Sequence, residues 1–350
     1  MKQNIIGLTP ENLDQFFLKI GEKKFRTKQV LDWIYKKNIF DFSQMSNLNK
    51  NLRQILDNNF LIELPEITDQ KISAIDGTTK FLLKLKDNNT IETVLMNEKD
   101  RNTICISTQV GCPLACKFCL TGQIGFIRNL EVPEIISQIL LTKQFIEDKN
   151  KRLNIVVMGM GEPLLNYDNL VKAIKFITLD WGIGLGKKRV TISTAGIADK
   201  IYKLADQNLG TKLAISLNSA NNEKRDYLMP INKKFPLEIL KKSLLYYQKK
   251  DNRNRITFEY ILIKNINDSP EDAHQILNFV KGLKYKINLI PYNESDFLDF
   301  KSPNENDIQK FIKIILNGNG AVTVRRSKGS DILAACGQLK ANFELKCQIL

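Results

Sequence analysis

Three cysteines lie close together in one segment of this chain, Gln109-Val-Gly-Cys112-Pro-Leu-Ala-Cys116-Lys-Phe-Cys119. Their C-x3-C-x2-C spacing begins shortly after the apolar run Ile104–Ser107, which has the length and composition of a buried strand. Ligands of α/β folds gather at the carboxyl ends of the strands. The sequence therefore predicts a loop that presents three thiolates at that end of a sheet.

The spacing of these thiolates suits an iron–sulfur cluster, because three such cysteines can bind three irons of a [4Fe–4S] cluster. The loop holds no fourth cysteine, so one iron would stay open for a small molecule, much as a catalytic zinc keeps an open position. Three alternatives are less favoured: a zinc site usually has four protein ligands, disulfides are rare in the cytosol, and incidental thiols seldom cluster so densely. We expect Cys112, Cys116 and Cys119 to be the metal ligands.

Apolar runs and helical patterns alternate from residue 103 onward, which predicts an α/β fold with a parallel sheet and helices outside it. About six βα units are too few for a closed eight-fold barrel. An open, partial βα barrel and a doubly wound sheet fit the pattern equally. The predicted strands are Ile104–Ser107, Ile155–Met158, Val190–Ser193, Leu213–Leu217, Ile256–Ile263, Ile287–Ile290 and Val322–Val324.

Two smaller segments precede this array. The first is lysine-rich and has helical spacing, with Thr27 and Ser46 as candidate helix caps. The second alternates Phe81, Leu83 and Leu85 with lysines, as a small antiparallel β-ribbon would. We predict a helical, basic RNA-binding accessory domain over 1–65, a β-ribbon linker over 66–102, the partial barrel over 103–325 and a carboxyl-terminal tail over 326–350.

Composition narrows the function. The chain has 350 residues, with 52 Lys and Arg against 38 Asp and Glu, for a formal net charge of +14. This excess favours a polyanionic partner such as nucleic acid, although a generally basic surface would also produce it. His274 is the only histidine, which argues against histidine-based triads and metal sites. Without a long apolar run or a signal-peptide core, we expect a cytoplasmic protein with no membrane contact.

The cysteine motif resembles that of the radical S-adenosylmethionine (SAM) superfamily. The resemblance implies that the open iron chelates SAM, and that electron transfer to SAM yields a 5′-deoxyadenosyl radical. A glycine turn, Met158-Gly-Met-Gly161-Glu162-Pro163, follows the second strand, and Glu162 could accept hydrogen bonds from the SAM ammonium. The expected SAM-binding residues lie at strand ends, where each alone would be an ordinary cap or turn: Gly161, Glu162, Ser193, Ser216, Leu217, Asn218 and Asn293.

Together these motifs resemble the RlmN-type dual-specificity methyltransferases, which act on C2 of adenine in 23S rRNA and tRNA. The resemblance covers most of the chain and is most specific at the three loop cysteines, at Gly159–Pro163 and at Ala334-Ala335-Cys336-Gly337. One departure is Asn218, where family members commonly have histidine; asparagine can still form a hydrogen bond to the SAM ribose but cannot titrate.

The resemblance also implies roles for residues outside the cluster loop. Cys336 would carry the transferred methyl group as S-methylcysteine, at the expense of one SAM, while a second SAM supplies the radical. Cys105 would release the product by forming a transient disulfide with Cys336, and Glu92 would accept a proton. Alternation also allows Glu92 to be a solvent-facing residue of the ribbon, and Cys347 matches no family role.

The implied partners are 23S rRNA, tRNA and an electron donor such as flavodoxin or ferredoxin, with a monomeric enzyme. Basic residues expected near the site mouth could bind phosphates: Lys187, Lys188, Arg189, Arg325, Arg326 and Lys328. Three alternatives stay open: a C8-adenine methyltransferase of the Cfr type, a non-catalytic iron–sulfur or zinc RNA-binding protein, and a radical SAM enzyme that modifies peptides or sugars.

Overall fold

The amino-terminal segment is helical, as its hydrophobic spacing predicts. The computed structural model of the protein describes residues 2–251 and 255–341. Leu13, Phe17, Leu52 and Leu56 pack into the interior of this segment. Its elements are β1 (Gln3–Asn4), α1 (Pro10–Lys19), α2 (Phe25–Leu31), a π-helical turn (Asp32–Lys36), a 3-10 turn (Phe42–Gln44), α3 (Lys50–Asn59) and β2 (Phe60–Leu61).

Both helix caps predicted in this segment are wrong. Helix α2 begins before Thr27, whose buried hydroxyl instead donates to the Asp14 carboxylate at 2.6 Å. Helix α3 is capped by Asn49, whose side chain accepts from the N–H of Leu52 at 2.8 Å, and not by Ser46. The Thr27 hydroxyl does not cap α2 because it forms its hydrogen bond with Asp14 of α1 instead.

One sheet forms the centre of the molecule, and among the described residues it has ten strands in the order β14-β13-β12-β11-β10-β9-β6-β5-β4-β3. Residues 66–97 provide three antiparallel strands that continue this sheet, so the predicted ribbon is part of it, and the predicted boundary at 102 falls inside β6. The bounds in this half are β3 (Glu66–Ile72), β4 (Thr79–Lys84), β5 (Thr90–Asn97) and β6 (Arg101–Cys105).

The rest of the sheet is parallel and follows the chain without reversal. A doubly wound sheet reverses its strand order at a switch point. The sequential order therefore favours the open βα barrel, and all seven predicted strands are present. The bounds are β7 (Gln109–Gly111) and β8 (Phe126–Asn129), which form a separate hairpin, then β9 (Arg152–Val157), β10 (Val190–Thr194), β11 (Lys212–Ser216), β12 (Ile256–Leu262), β13 (Tyr285–Pro291) and β14 (Ala321–Val324).

Helices connect the parallel strands, and their apolar stripes pack against the sheet. In α5, Ile135, Ile136, Ile139 and Leu140 are fully buried. No helix in the described part of the chain is both long and apolar enough to cross a bilayer. The bounds are α4 (Leu120–Ile124), α5 (Val132–Thr142), α6 (Tyr167–Thr178), α7 (Ala198–Gln207), α8 (Asn222–Leu228), α9 (Leu237–Lys250), α10 (Pro270–Val280) and α11 (Glu305–Ile315).

Candidate active site

The three-cysteine loop lies beyond the carboxyl end of β6, as predicted. The backbone holds it in place: the N–H of Cys112 donates to the Gly125 carbonyl at 2.9 Å, and the N–H of Cys119 donates to the Cys116 carbonyl at 3.1 Å. Ala115, between the first two cysteines, has a φ of +50°, which is uncommon for a residue with a side chain. Such a bent loop brings the three cysteines to one cavity.

The three loop thiols are buried together, and without a bound cation they stay protonated. Burial raises the pKa of Cys112 to about 12 and that of Cys116 well above the usual range, and the neighbouring thiols add to both effects. A bound metal reverses this effect, because it deprotonates a coordinating thiol. In the described residues no group of three or more His, Cys, Asp or Glu could hold one metal ion. A cluster binds each thiolate through a different iron, so its ligands stand further apart than those of one ion.

A cavity of about 150 Å³ joins this loop to the strand ends. All three loop cysteines line it, together with Cys336. The sequence-predicted SAM residues that also line it are Gly161, Glu162, Ser193, Ser216 and Asn218.

Gly161 is required by the backbone of its turn. Its φ is +100°, and a Cβ at this position would lie 2.6 Å from the Cβ of Gln109. The Gln109 side chain in turn accepts from the N–H of Glu162 at 2.8 Å. The turn therefore packs directly against the strand that leads into the cysteine loop.

Glu162 lies almost fully buried on the cavity wall. Its two oxygens accept backbone N–H groups of Leu164, at 3.0 Å, and Ala195, at 2.7 Å. Burial raises the pKa of Glu162 to about 7, although these hydrogen bonds oppose the rise. Each carboxylate oxygen keeps a further lone pair, so Glu162 can still accept from a cofactor ammonium.

Both side-chain amide atoms of Asn218 form hydrogen bonds within the protein. Its side-chain oxygen accepts from the N–H of Ile261 at 2.9 Å, and its amide donates to the Met229 sulfur at 3.3 Å. The residue has a φ of +54° and is 1% exposed. This asparagine ties the end of β11 to β12 and also lines the cavity, and its contact with the SAM ribose stays a prediction.

Two predicted SAM residues do not line this cavity. Leu217 is fully buried and its N–H donates to the Glu259 carbonyl at 2.9 Å. Asn293 donates to the Cys336 carbonyl at 3.1 Å. Asn293 therefore holds the segment that carries Cys336.

Cys336 also lines a second, smaller cavity of about 20 Å³, and Cys105 lines the same one. Burial raises the pKa of Cys105 to about 12, with the neighbouring Cys336 adding to the rise. Both are free thiols, as are the three loop cysteines, so the described residues contain no disulfide. Cys347 lies outside the described residues. Cys336 thus stands between the cluster-loop cavity and Cys105.

Glu92 lies on the inner face of the sheet and not in solvent. Val94 pairs with Cys105 across β5 and β6, and Glu92, two residues away, shares that face. Glu92 is 4% exposed and forms an ion pair with Lys80 at 2.9 Å. The alternation of the strand alone allowed Glu92 to face either solvent or the site. The carboxyl-terminal segment covers it, through the Lys340 N–H, and this burial rules out the solvent-facing position.

Sequence reasoning missed three buried charged residues near the site. Lys80 gives no signal because Lys84 and Lys86 follow it on the same side of the alternation. Glu259 interrupts the apolar strand β12 and lines the larger cavity, which was a detectable signal. Arg225 is fully buried and donates to the carbonyls of Ala195, Ser216 and Leu217, linking the ends of β10 and β11.

The predicted basic mouth is partly wrong. Residues 187–189 precede β10, so they lie at the amino ends of the parallel strands, opposite the cysteine loop. Arg325 and Lys328 follow β14 at the carboxyl end, and both line the Cys105–Cys336 cavity. Arg326 follows β14 at the same end.

Family models match both parts of the chain. Residues 3–62 match the ribosomal RNA large subunit methyltransferase N-terminal domain, and residues 106–280 match the radical SAM superfamily. These ranges contain the amino-terminal helices and the cysteine loop with most of the parallel sheet.

Similar proteins match over nearly their full length. A protein of Pseudothermotoga lettingae named "Probable dual-specificity RNA methyltransferase RlmN" is 46% identical over 99% of this chain and 100% of its own. A protein of Fervidobacterium nodosum with the same name is 48% identical over 98% of this chain and 99% of its own. The crystal structure of a radical SAM methyltransferase from Sphaerobacter thermophilus superposes with a TM-score of 0.92 at 35% identity, covering 97% of this chain and 99% of that one.

Proposed function

This chain belongs to the RlmN family of radical SAM RNA methyltransferases, and we propose that it methylates C2 of adenine, using two SAM molecules and an S-methylcysteine intermediate. The substrates are an adenine in the peptidyl transferase centre of 23S rRNA and adenine 37 of tRNAs. The observation that carries the proposal is the position of Cys336, which lines both the cavity of the three loop cysteines and the cavity of Cys105.

The residues of the larger cavity suit the cofactors of this reaction. Cys112, Cys116 and Cys119 would hold a [4Fe–4S] cluster, and Gly161, Glu162, Ser193 and Ser216 line the space where SAM would bind. When bound, the cluster and SAM supply a radical that removes a hydrogen atom from the methyl group on Cys336.

Two protein thiols are needed because C2 of adenine is an amidine carbon and not a nucleophile, so it cannot attack SAM directly. The Cys336 thiolate can attack the methyl group of SAM, since a thiolate is a nucleophile that accepts a methyl group by ordinary displacement. The methyl carbon, once it is a radical, adds to C2 and leaves the base linked to the Cys336 sulfur.

Release of the product would take place at the smaller cavity, which Cys105 and Cys336 line. The radical adduct then gives up one electron, for which the oxidised cluster would be the acceptor when bound, and Glu92 takes the proton from C2. The Cys105 thiolate then attacks the Cys336 sulfur and forms a disulfide. The electron pair of the broken carbon–sulfur bond passes to the methylene carbon, which gains a proton and becomes the methyl group of the released base. The placement of Glu92 and Cys105 on one sheet face, with Cys336 opposite, supports this order of events.

The substrate must reach a buried sulfur, so the target adenine leaves its stack in loop or single-stranded RNA. The net charge of +14 supports an RNA partner, and binding should weaken as salt rises. The cluster needs an external electron donor such as flavodoxin or ferredoxin, and we place the enzyme in the cytoplasm, as a monomer, beside these partners.

Analysis of modified nucleosides tests the proposal. The anaerobically reconstituted protein is given SAM, a reductant, and unmodified 23S rRNA or tRNA. We expect 2-methyladenosine in both RNAs. Formation of 8-methyladenosine alone would indicate the Cfr-type activity instead, and unmodified RNA despite a full cluster would support a binding protein.

A further inference from the structure

Residues 325–341, which we call the strap, carry Cys336 and cross the inner face of the sheet. One side of the strap is fastened to the turn between β3 and β4. Asp331 accepts from the Ser73 hydroxyl at 2.7 Å and from the N–H of Ala74 at 3.0 Å. The N–H of Gly329 donates to the Asp76 carboxylate at 3.1 Å. The contact with Ala74 is exposed, and the other two are partly buried.

A buried pair of charges holds the strap closer to Cys336. The Lys80 ammonium lies 2.9 Å from a Glu92 oxygen and donates to the Leu333 carbonyl at 3.1 Å. The other Glu92 oxygen accepts from the N–H of Lys340 at 2.8 Å. Leu333 and Lys340 flank Cys336 in sequence, so the Lys80–Glu92 pair binds the strap backbone on both sides of this cysteine.

The pair is nearly excluded from water. The side chains of Lys80 and Glu92 are 7% and 5% exposed. Removing one partner of such a pair leaves an uncompensated buried charge, which is strongly unfavourable. The Leu333 carbonyl and the Lys340 N–H depend on this pair, because each would otherwise lose its charged hydrogen-bond partner.

We infer that Lys80 is a positioning residue: by pairing with Glu92 it keeps the strap closed over the cavity of Cys105 and Cys336, and a proton on Glu92 loosens this hold. The second clause rests on the proposed function, in which Glu92 takes a proton from the RNA adduct. The neutral carboxylic acid has no charge to attract the Lys80 ammonium. The strap then loosens after proton transfer, so that the base can leave once Cys105 has attacked the Cys336 sulfur.

Hydrogen exchange of the strap, followed by mass spectrometry, tests this inference on the full-length, reconstituted protein. We expect Lys80→Met to speed exchange of peptides covering 330–341 by about tenfold or more, because the strap can open locally without global unfolding. Lys80→Arg keeps the charge and should restore most of the protection. Glu92→Gln imitates the protonated acid and should give an intermediate increase.

Lys86→Met is the matched control, since Lys86 forms an ion pair with Glu63 that is exposed and does not touch the strap. Its strap exchange should equal that of the unmodified protein. If Lys80→Met folds poorly, Lys80→Met/Glu92→Leu removes both charges and must still show fast strap exchange. If Lys80→Met, or the double variant Lys80→Met/Glu92→Leu, keeps the strap protection of the protein without substitutions, the inference is overturned.

Strap exchange and the analysis of modified nucleosides, measured on the same protein, separate the inference from the proposed function. A protein that never methylates RNA but shows this exchange pattern refutes the function and leaves the positioning role of Lys80 standing. A protein that forms 2-methyladenosine while Lys80→Met leaves strap exchange unchanged refutes the positioning role alone.

Discussion

The parallel and antiparallel halves of the sheet contribute to the site in different ways. The parallel half uses the ends of its strands, where Glu162, Ser193 and Ser216 line one cavity. The antiparallel half uses the face of its strands, where Lys80 and Glu92 lie under the strap. Strand ends suit a bound cofactor, because loops there can vary freely, whereas a strand face suits side chains that must be held in register.

The cluster loop gives the strongest test of this division. We expect Cys116→Ala to abolish both cluster binding and methylation, because two thiolates cannot hold the cluster stably. Iron and sulfide content, with the visible absorption spectrum, measures the loss. Cys105→Ala serves as the control and should keep its iron. A full cluster in Cys116→Ala would remove this cysteine from the ligand set.

The next test separates the cofactor site from the methyl carrier. Cys336→Ala should lower methylation to background while the iron and sulfide content stays unchanged, since the carrier sulfur is lost and the three loop cysteines remain. Mass spectrometry of the protein without substitutions should find one extra methyl group on Cys336. Normal methylation by Cys336→Ala would contradict the two-thiol mechanism.

Cys105 tests the antiparallel half. Cys105→Ala should form the covalent link between Cys336 and RNA but release it slowly, because no thiolate is present to attack the sulfur. The protein should therefore accumulate as a slow-migrating RNA adduct on denaturing gels. Absence of the adduct, with turnover preserved, would assign release to another group.

The smallest expected effect concerns Glu162 and pH. Its pKa of about 7 lies above the unfolded value near 4.5, so the folded chain holds a proton that the unfolded chain releases. Its contribution to stability is therefore full below pH 4.5 and falls as pH rises toward 7, by roughly 1–3 kcal/mol.

Thermal unfolding of the cluster-free protein between pH 4.5 and 8 measures this effect. In Glu162→Gln the decline should be smaller than in the unmodified protein, because the amide does not titrate. An identical pH dependence in both proteins would show that other groups control it.

The parallel half was largely predictable from sequence, because its strands are continuous apolar runs and its site residues follow them directly. The error at 187–189 was avoidable, since a segment that precedes a parallel strand lies at its amino end. The roles of Lys80 and the burial of Glu92 were not predictable. They depend on strand register and on contacts with Leu333 and Lys340, more than 240 residues away in sequence.

Two short hydrogen bonds connect the strap to the loop that holds the cysteines. The N–H of Leu120 donates to the Gly337 carbonyl at 2.7 Å, and the Thr121 hydroxyl donates to the Leu339 carbonyl at 2.7 Å. Because Leu120 directly follows Cys119 and Gly337 directly follows Cys336, these bonds hold the two cysteine segments to each other. The spacing between the Cys336 sulfur and the loop thiols is therefore set by direct contacts between their own segments.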